Sequence, residues 1–339
     1  MRGWLERRWY GDGAGVPLLA PLASIYAALA GMRRRAYDSG ILRQRRLTRP
    51  VVVVGNLTVG GTGKTPLTIH LARMLSAEKL RVGVVSRGYG RRDRAPRDVH
   101  ADSDWRDVGD EPVIIARRTG CATLVAADRV AAARTLIARG ADVIVADDGL
   151  QHLALARDCA IAVVDGSRGF GNGRLLPQGP LREPATALGR ADLVVVNGEP
   201  EHGSLAGALP AGTLRMQLAA GQAIRLDGRG PSSELAAFSG RRVHAVAGIG
   251  NPQRFFRELS RRGIEVIAHA FPDHHPFTAR ELAFADELPI LMTEKDAVKC
   301  TPFANARLWY VPVSAVFSES DAAALRARVL ARLRPGAGG

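Results

Sequence analysis

Short runs of β-branched and other apolar residues alternate along the chain with stretches whose apolar positions recur every three to four residues. The runs predict strands at 51–54, 82–86, 122–126, 143–147, 161–165 and 193–197. Helices are predicted at 64–78, 111–118 and 129–139. Strands linked through helices imply crossover connections and a mostly parallel sheet covered on both faces. Two polar stretches, 148–151 and 166–184, follow strands, where an open sheet of this kind places its ligand site. Between 198 and 231 the periodicity weakens and Gly, Pro and Ala accumulate, which predicts a junction carrying two short strands, 213–217 and 223–226. A second series follows, with strands at 243–247, 264–268, 290–293 and 308–311 and helices at 252–262, 279–287 and 321–334. The expected organisation is an N-terminal helical segment (1–48), a first α/β domain (49–210), a linker (211–230), a smaller α/β domain (231–320), and a C-terminal helix with a frayed tail (321–339).

The N-terminal pattern is different. "VPLLAPLASIYAALAGMRRR", 16–35, is apolar over fewer than the ~20 residues of a membrane-spanning helix, and Pro17 and Pro21 interrupt its start. Arg33, Arg34 and Arg35 stand where a signal peptide needs small residues. With Trp4, Trp9 and several arginines ahead of it, the segment reads as a helix lying in a membrane interface. A helix packed on the protein's own core is the other reading.

The chain has 339 residues, a length suited to two α/β domains. Apolar residues at 46% and charged ones at 24% exclude a disordered chain. The net charge of +14 favours a polyanionic partner, whether nucleic acid, an anionic membrane or a phosphorylated substrate. A GC-rich genome would produce the same arginine excess. Against nucleic acid, no basic motif interleaved with aromatic residues occurs. Cys121, Cys159 and Cys300 are far apart and form no zinc or haem motif, which fits a reducing compartment.

Candidate chemistry centres on "VVVVGNLTVGGTGKTP". The nucleotide-loop pattern G-x-x-x-x-G-K-[ST] is met by Gly63, Lys64 and Thr65, but Thr58 stands at the first glycine. Gly60 and Gly61 restore backbone freedom, so that amides through Thr62 and Gly63 can converge on phosphate at the start of a helix. Lys64 would neutralise β/γ-phosphate charge and Thr65 would ligate Mg²⁺. The GTPase motif N-K-x-D is absent, and Val59 replaces the lysine of partitioning ATPases. In "DVIVADDGLQH", Asp147 and Asp148 end an apolar strand as a metal-binding pair does; a simple turn is the alternative. Asp110 and Glu111 in "GDEPVIIA" are explained equally well as a helix start. Asp273, His274 and His275 in "FPDHHPF", taken alone, are explained by local hydrogen bonds.

Together, "GNLTVGGTGKTP", "SRGYGR", "VGDEP", "DDGLQH", "LLPQGPLREP", "FPDHHPFT" and "LMTEKDAVK" resemble, in order and from about Asn56 to Lys299, the tetraacyldisaccharide 4′-kinase family of lipid A biosynthesis. That family's loop also lacks the first glycine. The resemblance implies two α/β/α domains joined by a short β linker, the first with a P-loop-type parallel sheet. It implies ATP and Mg²⁺ as cofactors and transfer of the γ-phosphoryl group to the 4′-hydroxyl of a tetraacylated glucosamine disaccharide 1-phosphate. The implied place of work is the cytoplasmic face of the inner membrane. By the same resemblance, Asp110 is the catalytic base and His274 its partner. Arg182 lies near the phosphates, Glu183 joins Thr65, Asp147 and Asp148 around the metal, Gln151 sits beside the triphosphate, and Arg87 meets phosphate or anionic lipid. A membrane-associated P-loop ATPase with no small acceptor is the competing reading.

Overall fold

A computed structural model describes Leu5, residues 8–11 and residues 16–333. Trp4 and the expected frayed tail lie outside the described residues.

Among the described residues fourteen strands form two sheets. They are β1 (Val51–Gly55), β2 (Val82–Ser86), β3 (Arg97–Val99), β4 (Ala122–Val125), β5 (Val143–Ala146), β6 (Cys159–Asp165), β7 (Leu193–Asn197), β8 (Leu214–Ala220), β9 (Ile224–Arg225), β10 (Arg242–Ala247), β11 (Glu265–Ala270), β12 (Ile290–Thr293), β13 (Leu308–Val311) and β14 (Val313–Phe317). The larger sheet runs β14-β8-β7-β6-β1-β5-β2-β4-β3. Its seven inner strands are parallel, and β14 and β3 close the edges antiparallel. The smaller sheet runs β11-β10-β12-β13-β9, with only β9 antiparallel.

The helices are α1 (Ala20–Asp38), α2 (Lys64–Ala77), α3 (Trp105–Val108), α4 (Asp110–Thr119), α5 (Arg129–Ala138), α6 (Pro252–Arg261), α7 (Glu294–Cys300) and α8 (Glu319–Leu333). In β1 the valines alternate between two cores, as a pleated strand requires. Val52 and Val54 pack with Leu67 and Leu71 of α2, Ile115 of α4 and Leu325 of α8. Val51 and Val53 pack with Leu136 of α5, Leu150 and Leu188. All four valines are buried, and each contributes about 1.5–3 kcal/mol on transfer from water. The smaller sheet buries Phe255, Phe256 and Leu259 of α6 on one face and Phe277, Leu282 and Cys300 on the other.

The chain crosses between the sheets twice. It leaves the larger sheet after β8 and returns to it through β14, and Gly221 N donates to Pro312 O (2.8 Å) where the crossings meet. Residues 214–220, within the stretch expected as a linker, therefore extend the larger sheet, and α8 packs on that sheet too. The helix expected at 279–287 is a short 3₁₀ turn, Ala279–Leu282. Beyond it Phe284 stacks on His244 at 3.8 Å, and Asp286 accepts from the same imidazole at 2.9 Å. These tertiary contacts override the local helical preference.

Candidate active site

The phosphate loop joins β1 to α2 across the C-terminal edge of the larger sheet. Gly63 caps α2 with φ 96°, and a Cβ there would stand 2.8 Å from Asn197 Nδ2, so glycine is required. Asn197 Nδ2 donates to Thr62 O (3.0 Å), while Asn197 Oδ1 accepts from Arg254 of α6 (2.9 Å). The smaller domain thus touches the loop through one asparagine. It also approaches at Gly250, where a Cβ would meet Gly61 N at 2.7 Å. Lys64 Nζ donates to Asn56 Oδ1 (3.1 Å) and lies 3.7 Å from Asp148. Thr62 Oγ1 and Asn56 Nδ2 are buried without a hydrogen-bond partner. Orphaned buried donors beside a glycine-rich helix start fit a bound phosphate.

Asp147 and Asp148 follow β5 and have opposite electrostatics. Asp147 is buried and accepts from Thr68 Oγ1 (3.0 Å). Burial first, then the neighbouring Glu111 and Asp148 carboxylates, push its carboxyl up to about 7. Burial also works against the Asp148 carboxylate, but Lys64, Arg182 and Arg129 outweigh it and draw that group down to about 2. Arg182 Nη1 bridges both Asp148 oxygens at 3.0 and 3.1 Å. Among the described residues no three His, Cys, Asp or Glu side chains converge as a metal cage. Mg²⁺ needs none, because it keeps waters and shares phosphate oxygens with one or two carboxylates. Asp147, which accepts from Thr68 on the first turns of α2, offers one such carboxylate.

Gln151 and Glu183 tie this cluster to the N-terminal helix. Gln151 Nε2 donates to Asn56 O (3.1 Å) and to Glu183 Oε1 (3.0 Å). The other oxygen of Glu183 accepts from Arg34 of α1 (2.9 Å), and Tyr26 of α1 donates to Arg182 O (2.9 Å). Glu183 is therefore ion-paired in this arrangement, as Asp148 is.

Asp110 opens α4 and is buried. His274, on the loop after β11 with φ 62°, lies with Nδ1 3.0 Å from Asp110 Oδ2. These residues are 164 positions apart and come from the two domains. Burial disfavours the Asp110 carboxylate, but Lys295, His274 and Lys299 reverse that and hold it well below the usual carboxylate range. Glu111, next along α4, is among the groups that raise the Asp147 carboxyl.

Next to Asp148 opens a cleft of about 560 Å³ whose walls include Arg33, Arg87, Tyr89, Arg91, Arg94, Arg129, Gln151, His152 and Arg182. Burial and the nearby Arg129 push the His152 imidazole down to about 4, so it is neutral at physiological pH. Its Nε2 is buried without a hydrogen-bond partner. Arg87, Gln151 and Arg182 were expected from the sequence. Arg129, His152, Asn197, Arg254, Lys295 and Lys299 were not. The lysines lie in "LMTEKDAVK", a matching segment that carried no assigned role.

The glycine-rich loop at the sheet's edge, together with a carboxylate–imidazole pair that the second domain completes, makes this chain a P-loop phosphotransferase by fold and site. Residues 16–334 match the family model for the tetraacyldisaccharide-1-P 4′-kinase, and the chain belongs to that family. It is 53% identical over 299 residues to the tetraacyldisaccharide 4′-kinase of Alkalilimnicola ehrlichii, covering 88% of this chain and 87% of that one. It is 51% identical to the Stenotrophomonas maltophilia enzyme of the same name, over 96% of both chains. Among solved structures, the apo form of LpxK from Aquifex aeolicus in complex with ATP superposes with a TM-score of 0.75 at 27% identity, covering 93% of this chain and 98% of that one.

Proposed function

We propose that the chain phosphorylates the 4′-hydroxyl of a tetraacylated glucosamine disaccharide 1-phosphate, using ATP as donor. Family membership and close relatives of that name support the reaction. The donor is supported by the orphaned phosphate cradle and by the ATP in the Aquifex structure. Lys64 and the amides from Gly60 to Gly63 bind the triphosphate, with Gln151 alongside. Mg²⁺ would be held by Thr65, Asp147, Asp148 and Glu183, and supplies charge neutralisation on the phosphates. Asp148 and Glu183 are paired with Arg182 and Arg34 here, and Arg182 would offset charge on the transferring group.

Asp110 accepts the proton of the sugar hydroxyl as the P–O bond forms. His274 holds the receiving carboxylate. Because His274 belongs to the smaller domain, the pair exists only with the domains closed, which also excludes water from the phosphoryl group. The 3.0 Å contact between Asp110 and His274 carries this reading.

The acceptor's 1-phosphate suits the arginine-lined cleft. Its acyl chains point to the membrane interface. On α1, Leu22, Ile25, Leu29 and Met32, with Leu18 just ahead of the helix, recur at three- and four-residue spacing and are all more than half exposed. Among the described residues no helix is long and apolar enough to cross a membrane. A helix lying on the cytoplasmic face of the inner membrane accommodates both facts.

The test combines purified protein, ATP, Mg²⁺ and the acylated disaccharide 1-phosphate in detergent micelles. The expected product is heavier by one phosphate. ATP turnover that proceeds equally without the acceptor would instead support a membrane-associated ATPase.

A further inference from the structure

The phosphate loop is braced from outside its own strand and helix. Val59 N donates to Pro180 O (2.9 Å) and Arg182 N to Leu57 O (2.6 Å), so the segment after β6 lies along it. Residues 8–11, ahead of the stretch that the family model matches, fasten onto that segment. Trp9 is buried, its Nε1 donates to Pro177 O (3.1 Å), and its carbonyl accepts from Asn172 N (2.8 Å). A Cβ on Gly171 would collide with that carbonyl oxygen, so the close passage requires glycine. Tyr10 Oη then donates to Val59 O (2.8 Å), next to the glycine pair Gly60–Gly61.

Arg168 meets Tyr10 there. Its Cζ lies 4.4 Å from the centre of the Tyr10 ring, within the range of a cation held over an aromatic face. Its Nη1 stands 3.5 Å from the position of a Cβ on Gly60, a residue with φ 106°. Among the described residues the Arg168 guanidinium has no hydrogen-bond or ion-pair partner. Other cations near the loop are engaged: Arg182 bonds Asp148 at 3.0 Å, Lys64 lies 3.7 Å from the same carboxylate, and Arg254 bonds Asn197 at 2.9 Å.

We infer that Arg168 is a further ligand of the bound triphosphate, held by Tyr10 on the side of the loop away from Asp147 and Asp148.

The sheet order gives the side. β1 lies between β5, which ends at the two aspartates, and β6, which leads to Arg168. A metal and its carboxylates therefore approach the phosphates from one flank and Arg168 from the other. A guanidinium can give phosphate oxygens two parallel hydrogen bonds, provided its plane is oriented. The Tyr10 stack orients it before nucleotide arrives, so less side-chain freedom is lost on binding. A solvated surface arginine would need neither the stack nor the buried Trp9 that anchors it. This rests on the phosphate loop as the ATP site, proposed above, and the experiment separates the two.

The experiment is calorimetric titration of the full-length enzyme with a non-hydrolysable ATP analogue and Mg²⁺. Arg168→Gln should weaken binding by roughly tenfold or more, as loss of a charge-assisted hydrogen bond does. KM for the acylated disaccharide should stay within about twofold, because the contact is to the donor. The native affinity should fall with added salt more steeply than that of the variant. Unchanged affinity in Arg168→Gln, or equal salt slopes, overturns the inference. A matching loss of acceptor affinity would make Arg168 a structural residue and also overturns it. Should the glutamine variant not fold, Arg168→Lys decides: an ammonium cannot reproduce the planar fork, so affinity should still fall several-fold, and native affinity would refute the contact.

Tyr10→Leu should weaken the analogue a few-fold, and no further once Arg168 is glutamine. Losses that add in full would mean that Tyr10 supports Val59 without placing Arg168, which refutes its positioning role. Lys64→Ala separates the two readings. If it binds the analogue as the native protein does, the phosphate loop is not the ATP site. If it loses affinity while Arg168→Gln does not, only the assignment of Arg168 fails.

Discussion

Helices α1 and α7 both invert the ordinary sorting of residues. On α1 the large apolar side chains face outward and the small Ala23 is buried. On α7 two lysines and Asp296 are turned inward, and Lys299 is 0% exposed. Apolar surface outside and charge inside each oppose folding unless something compensates. The compensation differs. For α7 it is present within the protein, as carboxylates from both domains. For α1 nothing among the described residues covers the outward stripe, and attachment to a membrane interface is the compensation proposed above. The two inversions are therefore tested differently, α7 through the charges it buries and α1 through the surface it exposes.

The largest expected effect breaks the α7 side of this comparison. Lys299 Nζ is 2.9 Å from Asp296, 3.9 Å from Asp110 and 5.3 Å from the centre of the Phe277 ring. Lys299→Met leaves the buried Asp296 carboxylate without its cation and removes one of the three cationic neighbours of Asp110, and unfolding stability should fall by about 3–5 kcal/mol, read by urea titration. The double variant Lys299→Met with Asp296→Asn should regain part of the loss, because one stranded charge is gone. A single variant as stable as the native protein would show that the buried charges are not coupled.

The next effect is on turnover. Asp110→Asn keeps the shape and one of the two accepting oxygens but cannot accept the proton, so acceptor-dependent transfer should drop by about 10²–10⁴-fold. Nucleotide affinity, measured by calorimetry, should change little, since Asp110 does not touch the phosphate loop. Equal losses in both would make Asp110 a structural residue of the α4 start.

These two residues also show what could be read from sequence. The phosphate loop and the Asp147–Asp148 pair were legible because each is a local device, a turn or strand end whose function lies within a dozen residues. The Asp110–His274 pair was legible only through resemblance. Its members are 164 positions apart, and locally each is explained by capping or turn formation. The bond from Lys295 Nζ to Glu111 Oε1, 184 positions away, left no periodic signal at all. β14 escaped notice for a related reason. It follows β13 after Pro312 alone, so the apolar pattern reads on as one strand while the chain changes sheets.

Charge buried in the larger domain should show in pH dependence, with a smaller effect. The Asp147 carboxyl rises from 3.8 to about 7 on folding. The folded state therefore keeps a proton that the unfolded chain has lost. Asp147 adds stability below 3.8, relative to high pH, and that part is lost as pH rises toward about 7. With metal removed by chelator, the unfolding midpoint of the native protein should decline across this window more steeply than that of Asp147→Asn. Matching slopes would show that Asp147 is ionised throughout. Mg²⁺ with ATP should release a proton on binding near neutral pH, and the asparagine variant should release none.

The smallest effect on the protein itself tests the α1 side. Leu22→Glu with Ile25→Glu replaces two outward residues that touch no core cluster. Surface changes of this kind stay within about 0.5 kcal/mol of native stability. Their effect on attachment should be far larger, because each apolar side chain leaving water for the interface is worth about 1.5–3 kcal/mol at full burial. Flotation with vesicles containing anionic lipid should then show affinity weakened by roughly tenfold or more. Charge reversal at Arg46, exposed and beyond the helix, should weaken binding less and in a salt-dependent way. Vesicle binding unchanged by the double glutamate variant, in a protein that still folds, would mean that α1 is not the attachment surface and that its outward stripe serves another partner.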